Sequence, residues 1–129
     1  MGETTSTTDP TDERGALGRW GEELAARYLT SRGMRVIERN WRCVHGELDI
    51  VAVDGECLVV CEVKTRTSVG FGAPVEAVTW RKRARLRRLV GVWLAEHASG
   101  GYAGVRIDVV GVLRPPAGRP VVWHLEGVG

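Results

Sequence analysis

The chain has 129 residues, 43% hydrophobic and 26% charged, the composition of one soluble domain built on a single core. No apolar run approaches the roughly 20 residues of a membrane span and the start is not signal-like, so no membrane association and a cytoplasmic location are expected. A formal net charge of +2 excludes an argument for a polyanionic partner from bulk charge, and leaves that argument to how the charges are distributed.

Residues 1–12 are rich in Thr, Ser and acids with almost nothing to bury, which predicts a disordered tail ahead of a single domain over 13–129. From there to Arg32, Leu17, Trp20, Leu24 and Tyr28 recur at helical spacing, and Gly33 offers a left-handed cap. Glu22 and Glu23 are neighbours about 100° apart around that helix and read as solvated surface. Met34 to Trp41 alternates Val36 and Ile37 with Arg and Glu, the pattern of a first strand.

Gly46 to Arg66 reads as two strands around Asp54-Gly55, a common pair at the centre of a type I′ hairpin. With Val53 and Glu56 closing that turn, Asp49 faces Val60 and Glu47 faces Glu62. Side chains alternate with period two, so Glu47, Asp49, Glu62 and Lys64 share one face. Alternating charge on a strand is ordinarily a solvated face. Here Leu58 to Cys61 is a continuous apolar run, the mark of a strand buried on both sides, where unpaired charge is costly. A Mg²⁺ or Mn²⁺ ion would compensate such a cluster, since hard carboxylate oxygens suit either metal.

Three cysteines are an odd number, and Cys57 and Cys61 lie too far apart along one strand to bond. Reduced thiols are expected, and the spacing of Cys43, His45, Cys57 and Cys61 matches no zinc pattern. His45 beside the acids has the chemistry of a proton donor, though a histidine in a turn is commonly incidental.

Thr65 to Gly72 is a polar loop following Lys64, with Arg66 and hydroxyls suited to phosphate contacts. Pro74 is expected to open a helix to His97, with Val78, Leu86, Leu89, Val90, Trp93 and Leu94 as its buried stripe. Arg81, Lys82, Arg83, Arg85, Arg87 and Arg88 form a run without an acid. Such a run is usually a solvated face, yet an anionic polymer would explain it, and Lys82, Arg85 and Arg88 share one side. Of the five tryptophans, which alone would favour a protein-interaction module, Trp80 and Trp123 are expected to be exposed. Val105 to Leu113 and Val121 to Leu125 complete the order helix, three strands, helix, two strands: an α/β domain with a mixed sheet flanked by helices.

Asp49, the hairpin, then Glu62-Val63-Lys64 resembles the PD-(D/E)xK nuclease signature. The longer series is more specific: Gly21-Glu22, Arg39-Asn40-Trp41-Arg42, Gly46-Glu47-Leu48-Asp49, Glu62-Val63-Lys64-Thr65-Arg66, Phe71-Gly72, Lys82 and Arg106-Ile107-Asp108-Val109. It is similar to the YraN-like family of uncharacterised bacterial endonuclease-like proteins, which resemble archaeal Holliday-junction resolvases. The resemblance spans about Leu17 to Val112 and implies a restriction-endonuclease-like core. It further implies a metal-dependent endonuclease acting on DNA, branched or structured DNA included, with Asp49, Glu62 and the Val63 carbonyl as metal ligands. Glu22 and Glu47 would be secondary acids and Lys64 the residue that stabilises charge on the phosphate. Arg66, Lys82, Arg85 and Arg88 would hold the backbone, and a homodimer is implied by the resolvases' symmetric substrates. The alternative is a non-catalytic nucleic-acid-binding protein of a DNA-processing complex on the same scaffold.

Overall fold

The computed structural model describes residues 10–67, 79–97 and 101–128. Its elements are α1 (Pro10–Ser31), β1 (Arg35–Cys43), β2 (Gly46–Asp54), β3 (Cys57–Arg66), α2 (Trp80–His97), β4 (Gly104–Leu113) and β5 (Val121–Leu125). The helix therefore begins inside the segment expected to be a tail, with proline at the first helical position, where its missing N–H costs nothing. It closes as expected at Gly33: Met34 N–H reaches Leu29 O and Gly33 N–H reaches Thr30 O, both bonds of a Schellman motif. For α2, the Thr79 hydroxyl accepts from Lys82 N–H and caps the helix. The expected start at Pro74, with Val78, and the loop from Ser68 to Gly72 lie outside the described residues.

The five strands form one sheet in the order β1-β2-β3-β4-β5. Only β3 and β4 run parallel, as they must when the connection between them carries α2 from one end of the sheet to the other. Each helix covers one face. Ala25, Ala26 and Leu29 of α1 pack with Ile50, Ala52, Val59, Cys61, Val110 and Val112. Leu86, Leu89, Val90 and Trp93 of α2 pack with Leu48, Val51, Leu58, Val60 and Ile107. Leu58 to Cys61 is at most 1% exposed, so the central strand is buried on both sides, as the apolar run predicts. A mixed sheet between two helices gives an α/β, restriction-endonuclease-like core.

The hairpin register differs from the expectation. Asp54 pairs with Cys57, Val53 with Leu58 and Val51 with Val60, two residues away from a register closed by Val53 and Glu56. The turn residues are Gly55 and Glu56, and only Gly55 has positive φ, 62°, the requirement of a type II′ turn where type I′ needs two. Asp54 stays in the strand, with the Arg106 guanidinium 3.2 Å from its carboxylate. A shift of two leaves every side chain on its expected face, because the strand period is two.

Gly21 sets how closely α1 approaches β3. A Cβ at this buried helical position would lie 2.9 Å from Thr65 Cγ2 and 3.0 Å from Thr65 Cβ, with the hydroxyl nearer still. Gly21→Ala gains about 1 kcal/mol of helix propensity, but overpacking against a β-branched side chain costs about 1–3 kcal/mol. A net loss in urea melts is expected, largely recovered in Gly21→Ala/Thr65→Ala. A single variant as stable as the parent would show that the helix can move away.

Candidate active site

The last paired residues of β2 and β3 toward the open end are Ile50 and Cys61. Beyond them the Asp49 side chain takes the place of a strand partner: its Oδ2 accepts from Val63 N–H at 2.9 Å. Glu62 sits beside it on β3, with its side chain 11% exposed. Asp49 and Glu62 line one pocket of about 240 Å³ with Glu47, Lys82 and Arg85. The two acids thus share the face that strand alternation assigns them.

Burial, followed by the charge of Glu62, pushes the Asp49 carboxyl up to about 7 against the Val63 N–H, and Glu22 and Glu47 add to the push. Glu22, on α1, acts on Asp49 through its charge and, like Lys64, is not among the residues lining the pocket. Its own carboxyl is raised by burial, with the Asn40 side chain and the guanidiniums of Arg39 and Arg42 pulling the other way. Asn40 has φ 54°, the one non-glycine residue with positive φ among the described residues. Asparagine tolerates that conformation better than most side chains. Glu47 lies 3.5 Å from Arg42 Nε and is half-exposed. Glu23 points away to Arg27 and Arg39, 3.0 and 2.8 Å from its oxygens, as a surface residue should.

Two ammoniums share Glu62. Lys64 Nζ is 3.4 Å from Glu62 Oε2, and Lys82, arriving from α2, contacts the same oxygen more closely. Burial and then the neighbouring Lys82 lower the Lys64 pKa, against the pull of Glu62. Burial also works against charge on Lys82, but its hydrogen bonds to Glu62 and Lys64 outweigh it and raise its pKa.

The placement of α2 follows from its other end. Trp93 Nε1 donates to Glu38 at 2.9 Å, Trp41 Nε1 donates to Glu96 at 3.2 Å, and His97 stacks on Trp93. These contacts fix the helix against β1 and bring Lys82 and Arg85 over the acids. Arg85 and Arg88 line a second, adjoining groove with Trp80 and Arg81. Arg66 is exposed at the end of β3, with Nη1 donating to Thr65 O, and does not line the acid pocket. His45 is exposed in the β1–β2 turn and is likewise not among the pocket's lining residues.

Among the described residues, no three His, Cys, Asp or Glu side chains form a group that could hold a metal ion by themselves. Asp49 and Glu62 still offer hard carboxylate oxygens that suit a cation retaining several waters, as Mg²⁺ does, although Glu62 already faces two ammoniums. Cys57 and Cys61 pack on the opposite face against α1, where Cys61 is fully buried and burial raises its thiol well above the usual range.

Two features escape sequence reasoning. Lys82 reads there as a backbone-binding cation, and its partnership with Glu62 needs the crossover to bring α2 to β3. Asp108 receives no role, although a carboxylate inside the apolar strand Val105 to Leu113 signals a buried partner. It is 0% exposed and accepts from Arg106 Nε at 2.9 Å, Arg106 Nη2 at 3.1 Å, His124 Nε2 at 2.8 Å and Gly127 N–H at 3.0 Å. With the proton on Nε2, His124 Nδ1 is free to accept from the Tyr28 hydroxyl, 3.2 Å away. Arg106, whose pKa is raised chiefly by its bonds to Asp108, links the network to Asp54.

Residues 21–112 match the profile described as Uncharacterised protein family UPF0102. A UPF0102 protein of Streptomyces griseus is 61% identical over 115 residues, covering 89% of this chain and 97% of that one. One of Streptomyces coelicolor is 60% identical over 116 residues, 89% of each chain. A third, from Acidothermus cellulolyticus, is 54% identical over 123 residues, 88% of this chain and 93% of its own. The span covers both α1 from Gly21 and the entire Asp49 to Lys64 hairpin, so the chain belongs to the UPF0102 (YraN-like) family.

Proposed function

We propose that this protein is a metal-dependent endonuclease acting on DNA. The observation that carries the reading is the convergence of Asp49 and Glu62, from two neighbouring strands, on one pocket with Lys64 contacting Glu62. Asp49, Glu62 and the Val63 carbonyl would hold Mg²⁺ or Mn²⁺, with Glu47 and Glu22 as outer acids, and the ion would supply Lewis-acid polarisation of a phosphate oxygen. The Val63 N–H orients Asp49 so that one oxygen is committed to the protein. Lys64 Nζ would place a cation where charge develops on a phosphate. Lys82 tethers Glu62, and Arg85, Arg88 and Arg66 supply sequence-independent backbone contacts. Branched or flapped DNA, and a dimer that meets two strands, follow from the likeness to junction resolvases.

Purified protein incubated with linear, flapped and four-way DNA in Mg²⁺, Mn²⁺ or chelator tests the reading. Metal-dependent cleavage is expected, and its absence from every substrate would end the proposal. A second reading, a nucleic-acid-binding protein without turnover, is favoured by one observation: Glu62 is already neutralised by Lys64 and Lys82. It requires tight binding with no cleavage under any metal.

Backbone binding has its own signature. Log affinity should fall with log salt by about 0.9 per neutralised phosphate on duplex DNA. Charge reversal of Arg85 and Arg88 should lower affinity and flatten that slope by roughly two. An unchanged slope would make the run from Arg81 to Arg88 a solvated face.

A further inference from the structure

Trp80 is an unusual surface residue. As the first residue of α2 its side chain is 67% exposed, whereas Trp41 and Trp93 are buried in the core with their N–H groups bonded to Glu96 and Glu38. It lines a groove of about 570 Å³ together with Thr79, Ala84 and four cations, Arg81, Lys82, Arg85 and Arg88. The Arg81 guanidinium lies 5.4 Å from the indole centroid. Lys82 and Arg85 line both this groove and the pocket of Asp49 and Glu62, so the two adjoin across these side chains. Trp80 and Lys82 leave α2 about 200° apart, and what joins them is the groove that both line together with Arg81 and Arg85.

A cationic groove with an exposed indole has the chemistry of a stacking platform. Positive charge follows the phosphates while the ring takes a base by its face, with no demand on base identity. Bases inside a duplex are stacked on both faces and offer none to the ring, so away from the duplex ends it can serve only a nucleotide that is unpaired. We infer that Trp80 stacks on an unpaired base next to the phosphate presented to Asp49 and Glu62, so that the protein selects DNA with a single-stranded nucleotide beside the site of action over uninterrupted duplex. The inference rests on the proposed DNA reading and narrows its substrate to flaps, overhangs and branch points.

Binding in chelator separates this inference from catalysis. Fluorescence anisotropy would compare three labelled DNAs: a blunt duplex, the same duplex with a six-nucleotide single-stranded arm, and that duplex with an arm of abasic sugars. The parent should prefer the arm with bases over both others. Trp80→Ala should weaken binding to that DNA alone, by roughly 5- to 150-fold, and Trp80→Phe should restore most of the loss. Trp123→Ala, which removes a partly exposed tryptophan of β5 that lines neither the groove nor the acid pocket, should keep the preference. If the parent does not distinguish bases from abasic sugars, or if Trp80→Ala weakens all three DNAs equally or none, the inference falls. Absence of metal-dependent cleavage with the arm preference intact would instead remove the nuclease reading and leave the stacking site standing.

Discussion

Asp49→Asn and Glu62→Gln are expected to shift the stability of the metal-free protein in opposite directions while both abolish metal binding. Residue chemistry alone suggests that removing either acid relieves the same repulsion. The structure distinguishes them, because Asp49 is pushed toward its neutral form whereas Glu62 carries the countercharge for two ammoniums. In the folded state the Asp49 carboxyl is pushed up to about 7, above its ordinary 3.8. Between those values the folded state binds more protons than the unfolded chain, so stability declines as pH rises through that window. At about 1.4 kcal/mol for each pH unit between them, the whole penalty at pH 8 is at most about 4.5 kcal/mol. Asp49→Asn removes the titration and keeps an oxygen to accept from Val63 N–H. It should therefore melt about 2–4 kcal/mol above the parent at pH 8 and lose the downward slope between pH 4 and 7.

Glu62→Gln leaves Lys64 and Lys82 facing each other without a carboxylate. The lysine side chains are 23% and 19% exposed, so water screens part of the repulsion and the expected loss, about 1–3 kcal/mol, is below that of breaking a fully buried pair. Urea melts in chelator at pH 5 and 8, with calorimetric titration of Mn²⁺, measure both effects. In the nuclease reading each variant also loses cleavage by at least roughly a hundredfold. If both variants stabilise the protein, the Lys82 contact does not anchor Glu62. If Asp49→Asn destabilises at pH 8, Asp49 is a structural partner and the site assignment fails.

The second large effect is at Asp108. Its two oxygens accept four hydrogen bonds from Arg106, His124 and Gly127 with no exposure to water. Asp108→Asn replaces one acceptor oxygen with a donor amide facing donors, and removes the charge opposite Arg106. A loss of about 3–5 kcal/mol is expected, the scale for breaking a buried charged network. This network joins β4 to β5 and, through His124 and Tyr28, to α1. Its loss should therefore lower the global melting free energy without altering the pH slope due to Asp49. A change below about 1 kcal/mol would mean that Arg106, still near Asp54 and Glu126, carries the charge balance alone.

The element order, the two-sided burial of Leu58 to Cys61, the exposure of Trp80 and the common face of Asp49, Glu62 and Lys64 were legible in the residues alone. All four follow from local rules: hydrophobic period, turn residues and strand alternation act over a few neighbours and survive a register shift of two. Tertiary structure decided what those rules cannot reach. The choice of Gly55-Glu56 as the turn depends on Asp54 remaining paired in the strand and held by Arg106, 52 residues away in the chain. The approach of Glu22 depends on a helix fitted against Thr65 through Gly21, and the arrival of Lys82 at Glu62 depends on a crossover fixed by Trp93 and Trp41 at the far end of α2. Each is a contact between segments distant in sequence. Its energy is set by packing and burial in the assembled core, and neither quantity has a local period to read.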